Sequence, residues 1–253
     1  MNKKIKSLVL AAVMGLSLTT VAVVPATVEA ASAGAAETLI GGAVAYAYVS
    51  TAFNKMDNSK EGQEQSLARA KKQTGYLEDS AAQARVQRIM KTLEASPSVK
   101  RSYVVYANPS DDFNAFATVG RVMSVNKGAL DLLDDDELAY VMAHEISHGE
   151  HKDIVNGLKK QVGLSTAVSL AAGGGGNAAI LSNIAGNYME NQVFTMGQEK
   201  AADELGFKIL SESPYNVGAA AASMAVLRNK YGDLYREGLN QVFSPNNHPK
   251  TSS

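Results

Sequence analysis

The chain has 253 residues, of which 45% are apolar and 19% charged, enough for one good-sized hydrophobic core or two small ones in a folded globular protein. A formal net charge of -1 gives no electrostatic footprint for nucleic acid or for an acidic surface. There are no cysteines, so disulfides and thiolate metal sites are excluded, and any bound metal has to be held by histidines and carboxylates.

The first thirty residues carry an export pattern. "MNKK" with Lys6 is a basic start, "SLVLAAVMGLSL" is an apolar run, and "VEA" before "AS" is a small-residue cleavage site. This predicts a secretory signal peptide over residues 1–30 and a periplasmic or cell-envelope protein. With no cysteine at the cleavage site, a lipoprotein anchor is not expected. Residues 33–53, "AGAAETLIGGAVAYAYVSTAF", are long enough to span a bilayer. They are built from small residues and include Glu37, so the expectation is an Ala/Gly-rich helix or linker over 31–60 rather than an anchor.

Residues 61–253 read as the main domain. "SKEGQEQSLARAKKQ" and "SAAQARVQRIMKTLEAS" are helical patterns, with Leu77, Ala81, Ala84, Ile89, Met90 and Leu93 as the expected apolar stripe and Pro97 as a stop. "RSYVVYA" reads as a strand, and "DDFNAFATVGRVMSVNKG" as two short strands around Gly120. A helix is expected from Asp134 to His151, and another over "NGLKKQVGLSTAVSLA" up to the glycines at 173–176. Those glycines are not followed by Lys-Ser/Thr, so they read as a break between helices and not as a phosphate loop. Helical patterns follow in "AAILSNIAGNYME", in "TMGQEKAADELGFKILSES" with Thr195 as N-cap, and in "NVGAAAASMAVLRNKYG". The fold class is therefore α+β, mainly helical, with a small β-sheet beside the 134–151 helix.

That helix carries three of the four histidines. Asp134 and Glu137 have the spacing of a capping box, and the acidic run suits the positive end of the helix dipole. His144 and His148 are four apart and share one helical face, with Glu145 beside them. This is H-E-x-x-H, in which two imidazoles bind zinc and the glutamate acts as general base. Catalytic zinc takes three protein ligands and keeps a position open for water. A third ligand is thus required. His151 lies too far along the same helix to close a tetrahedron, and Ile154 stands where the extended H-E-x-x-H-x-x-G-x-x-H form has its last histidine. "QEKAADELG" offers Glu199 and Asp203, one turn apart. One of these carboxylates can coordinate an ion while the other hydrogen-bonds a ligand imidazole and fixes its tautomer. Ala201, Ala202, Leu205 and Gly206 would let that helix pack closely on another.

Together, "ELAYVMAHEISHGEH" and "QEKAADELGFKIL" resemble the gluzincin metallopeptidases of the CaaX prenyl protease, HtpX and BepA group, over roughly residues 65 to 250. The resemblance implies a zincin-like metallopeptidase domain with one Zn2+ held by His144, His148 and Glu199. It implies Glu145 as catalytic base and Asp203 as a hydrogen-bond partner of a ligand histidine. "NAFATVGRVMSVNKGAL" is similar to the family's edge-strand region, which implies that Asn114, Ala115 and Phe116 line the place where a polypeptide substrate adds as a strand. His248, before Pro249, matches a histidine thought to stabilise the tetrahedral oxyanion. The arginine that follows it in the family has no counterpart before Ser253. The activity implied is a zinc-dependent endopeptidase acting on misfolded or unassembled envelope proteins. The alternative is a zinc-containing envelope chaperone or binding module with little proteolysis.

Overall fold

The computed structural model describes residues 46–47, 50–171 and 194–231. The expected signal peptide, the glycine run at 173–176, the helical pattern before residue 191 and His248 lie outside them. The chain forms two compact units, one of Met1–Lys55 with Leu158–Glu190 and one of Met56–Gly157 with Asn191–Ser253. The first includes a hydrogen bond from Lys159 Nζ to Asn54 Oδ1 at 2.8 Å. The second contains the histidine helix. No helix among the described residues is long and apolar enough to cross a membrane.

Helical residues 50–58 precede helices α1 (Lys60–Thr74) and α2 (Ser80–Glu94), each of which is started by a side chain that accepts from orphan backbone N–H groups, Ser59 for α1 and Asp79 for α2. The apolar stripe expected for this region needs correction. Leu77 lies between the helices, and Ala81 and Ala84 are exposed. The buried face of α2 is Gln83, Val86, Ile89, Met90 and Leu93. Gln83 occupies a core position because its amide is fully used. Its Oε1 accepts from Ala107 N at 3.0 Å and its Nε2 donates to Leu77 O at 2.8 Å and Ala107 O at 2.9 Å. Polarity alone could not separate that glutamine from a surface one.

Strands β1 (Val104–Asn108), β2 (Ala115–Thr118) and β3 (Val122–Asn126) form a mixed sheet in the order β1-β3-β2, with β1 parallel and β2 antiparallel to the central β3. The β2–β3 turn has Gly120 at φ 85°, followed by Arg121 at φ 60°. A Cβ on Gly120 would stand 2.6 Å from Ser66 Oγ of α1, so glycine is required there for shape as well as for its left-handed backbone. Side chains alternate across the pleat. Val105, Ala107, Ala115, Met123 and Val125 enter the main core, while Tyr106 and Val122 pack with Ala70 of α1.

After the short α3 (Lys127–Leu130) comes α4 (Asp135–Glu150), then α5 (Asp153–Ala171), α6 (Met196–Ser211) and α7 (Ala219–Tyr231). The capping box at Asp134 and Glu137 is formed as expected. Every residue of α4 from Leu138 to Gly149 is buried, by β2, α2, α6 and α7. Both ends of the helix are clamped. Arg85 of α2 holds the start, donating to Asp135 Oδ1 at 2.7 Å, Leu130 O at 2.8 Å and Leu133 O at 2.6 Å. At the other end Tyr103 Oη donates to Glu150 Oε1 at 2.8 Å, and Arg101 donates to Gly149 O at 2.7 Å.

Helix α6 lies directly on α4. A Cβ on Gly206 would stand 3.1 Å from both the N and the Cα of His144, and these are backbone atoms that cannot swing aside. Gly206→Val should therefore lower unfolding stability by about 1–3 kcal/mol, the usual cost of overpacking a core contact. Chemical denaturation reads this directly, and an unshifted midpoint would show that the two helices separate without cost.

Candidate metal centre

The close packing at Gly206 brings one stripe of α6, Glu199, Asp203 and Gly206, against the histidine face of α4. Among the described residues His144, His148 and Glu199 form the group able to hold a metal ion, each offering one ligand atom with all three atoms within 4.8 Å. His144 Nε2 and His148 Nε2 are 3.2 Å apart. The Glu199 carboxylate reaches both, Oε2 at 3.5 Å from His144 Nε2 and Oε1 at 3.5 Å from His148 Nε2. Ligand atoms bound at ~2.0–2.1 Å around a tetrahedral ion stand about 3.3–3.4 Å from one another. The two imidazole nitrogens stand close to that spacing, and each has its own oxygen of the Glu199 carboxylate at 3.5 Å.

The outer nitrogens explain the orientation. His144 Nδ1 lies 3.0 Å from Asp203 Oδ1, and His148 Nδ1 lies 2.9 Å from Asp153 Oδ2. With a carboxylate as acceptor, each Nδ1 carries the proton and each Nε2 presents its lone pair inward. Two facing lone pairs at 3.2 Å repel unless positive charge sits between them. The acids around His144 likewise favour positive charge at this point. Burial alone lowers its pKa, but the hydrogen bonds to Asp203 and Glu199 and the charges of Glu145 and Glu199 prevail and push it up to about 10. The donor set, all nitrogen and oxygen, suits zinc.

Glu145 stands apart from the ligand group. It is buried, and its Oε2 accepts from Ala117 N of β2 at 2.9 Å. The sheet thus holds this carboxylate at the rim of the metal cage. Asn114 immediately precedes β2, where its carbonyl accepts from Asn126 N at 2.9 Å, and Ala115 and Phe116 open the strand itself. His151 is the exposed C-cap of α4 and stays outside the group.

Four residues around the cage escaped the sequence reading. Tyr140, one turn before His144, donates to Asp203 Oδ1 at 3.2 Å, and its burial, with the Asp203 charge next, holds its pKa above the ordinary tyrosine range. Phe194 stacks on the His148 ring with centroids 3.9 Å apart and planes at 10°. Gln198 Nε2 donates to Asp153 Oδ1 at 2.9 Å. Asp153 itself lies in the helix after α4, and burial raises its pKa against the opposing effects of Gln198 and His151. It reaches back to His148 because Lys152 takes φ 59° between the two helices. Nothing in the residue type of Lys152 announces that bend.

Two helices that cross at a glycine, an H-E-x-x-H face, a carboxylate from the second helix and a sheet beside the glutamate define a metallopeptidase. The family model described as Peptidase family M48 matches residues 77–253, and the chain belongs to that family. It is 28% identical over 144 residues to the putative beta-barrel assembly-enhancing protease of Vibrio cholerae serotype O1, covering 53% of this chain and 30% of that one. It is 26% identical over 155 residues to metalloprotease LoiP of Escherichia coli K12, covering 60% and 58%. A protease HtpX homolog of Salinibacter ruber is 33% identical over 133 residues, covering 46% and 47%. These matches thus span between 30% and 58% of the relatives' lengths.

A lysine in the left-handed region carries strain that glycine does not. Lys152→Gly should raise unfolding stability by about 1 kcal/mol, within the cost of that conformation. A thermal melt of the two proteins decides it, and a lower midpoint for the glycine variant would show that the Lys152 side chain contributes more than its backbone costs.

Proposed function

We propose that this protein is a zinc-dependent endopeptidase. The observation that carries the reading is the pair of imidazole nitrogens 3.2 Å apart with the Glu199 carboxylate 3.5 Å from each, and a buried carboxylate, Glu145, beside them that is not part of the set. His144, His148 and Glu199 are the proposed ligands. The ion's contribution when bound is Lewis-acid chemistry, which makes a water acidic and a peptide carbonyl electrophilic.

The rest is done by the chain. Asp203 and Asp153 hold the ligand imidazoles in the tautomer that points Nε2 inward. Glu145 takes a proton from the attacking water as the new C–O bond forms. It then gives that proton to the departing nitrogen as the C–N bond breaks. Asn114, Ala115 and Phe116 are assigned to the side where the substrate main chain aligns with β2, and His248 to the developing oxyanion.

Residues 1–30 are assigned as a signal peptide, 31–60 as an Ala/Gly-rich segment and 61–253 as the peptidase domain, acting in the periplasm or cell envelope. Polypeptides are the substrates of the family. Misfolded or unassembled envelope proteins are the class we assign, supported by the export pattern and by relatives named for β-barrel assembly.

Metal analysis tests the ligand set. One zinc per chain is expected, largely lost in His148→Ala and in Glu199→Ala and retained in His151→Ala. Loss in His151→Ala equal to that in Glu199→Ala would overturn the third ligand. Cleavage of casein tests the base. Glu145→Gln should bind zinc and keep its thermal stability while turnover falls ~10²–10⁴-fold, the range of general acid–base catalysis. Cleavage by this variant near the wild-type rate would refute the mechanism. A wild type that cleaves nothing yet suppresses client aggregation would establish the chaperone alternative instead.

A further inference from the structure

The side chain of Gln198, next to the ligand Glu199, is engaged at both ends. Its Oε1 accepts from Thr195 N at 2.9 Å and from Thr195 Oγ1 at 3.0 Å, and Gln198 N donates back to Thr195 Oγ1 at 3.3 Å. This is the capping box of α6. The Nε2 of the same amide donates to Asp153 Oδ1 at 2.9 Å, and Asp153 Oδ2 accepts from His148 Nδ1 at 2.9 Å. An unbroken chain of hydrogen bonds runs from the α6 cap through Gln198 and Asp153 to His148. Phe194, one residue before the cap, stacks on the same imidazole.

A capping box is served equally well by glutamate or glutamine, since only the side-chain oxygen is needed. Glutamine alone can cap and also donate an N–H. The bond to Asp153 requires that N–H, because a glutamate there would set two carboxylates against each other. We propose that Gln198 is a positioning residue that couples the two halves of the metal cage. Through one amide it fixes the start of α6, which presents Glu199, and the acceptor that orients His148. The inference rests on the ligand set proposed above.

The test compares the full-length protein with Gln198→Glu and with the double variant Asp153→Asn/Gln198→Glu. Zinc affinity is measured by chelator competition, cap integrity by circular dichroism and thermal melting without metal, and ligand geometry by the visible spectrum of the cobalt-loaded protein. In Gln198→Glu the cap persists, so helix content should match wild type, while repulsion from Asp153 lowers the metal-free melting point only modestly. Zinc affinity should fall about 10–100-fold, the range for residues that orient ligands, and the cobalt spectrum should shift. In the double variant the introduced asparagine amide can donate to the introduced glutamate while its oxygen still accepts from His148. At least a tenfold recovery of affinity over the single variant is therefore expected, about the lower bound of the loss it reverses.

Gln198→Glu binding zinc within about twofold of wild type would overturn the proposal, since that is well short of the effect of an orienting residue. So would a loss of affinity that the double variant does not restore, or one that appears only together with lost helix. Absence of zinc from wild type would refute the underlying ligand set, an outcome distinct from equal binding by wild type and Gln198→Glu.

Discussion

The close approach of α6 to α4 at Gly206 is the contact on which the site depends. At that point the α6 backbone rests against the backbone of His144 with no room for a side chain. One turn back along α6, Asp203 then faces His144, and a further turn back Glu199 closes the cage over both imidazoles. A larger residue at 206 would push the helices apart by more than the tolerance of a metal–ligand bond. The small residues of α6 are therefore part of the geometry of the proposed metal site. The clamps on α4 at Arg85 and Tyr103 complete this arrangement by fixing the helix along its axis.

The interior of α4 would be unstable without its partners. Burying histidines and glutamates costs several kcal/mol each unless hydrogen bonds or opposite charge compensate. Here the compensation is unequal for the two imidazoles. His148 is fully buried, stacked on Phe194, and its acceptor Asp153 is itself almost buried and shares its second oxygen with Gln198. His144 stands closer to solvent, and the side chain of its acceptor Asp203 is 33% exposed. Tyr140 donates to the Asp203 oxygen that faces His144 and so holds the more exposed carboxylate in register.

Much of this was legible in the sequence. The capping box at Asp134, the N-cap at Thr195, the three short strands and the face shared by His144 and His148 follow from local spacing, which the chain cannot alter by folding. The stripe formed by Glu199 and Asp203 was legible for the same reason, and Gly206 signalled the close approach. The misses were long-range or depended on backbone torsion. Gln83 is buried because Ala107 and Leu77 saturate it, and no pattern around it says so. Asp153 is found only once Lys152 is known to bend, since a continued helix would carry position 153 away from the face of His148. Tyr140 looked like any aromatic on a buried helix, and its hydroxyl gained meaning only when α6 supplied Asp203.

The order of the proposed ligands along the chain has a kinetic consequence. His144 and His148 come together as soon as one helix forms, an event local in sequence and fast. Glu199 arrives from a distant segment, and its docking has to bear the entropy of closing the intervening loop. Closing the cage therefore requires long-range structure as well as the local helix. A chain still folding holds two ligands and a glutamate but lacks the full set. With the proposed ligand set, hydrolytic capacity requires the finished tertiary structure.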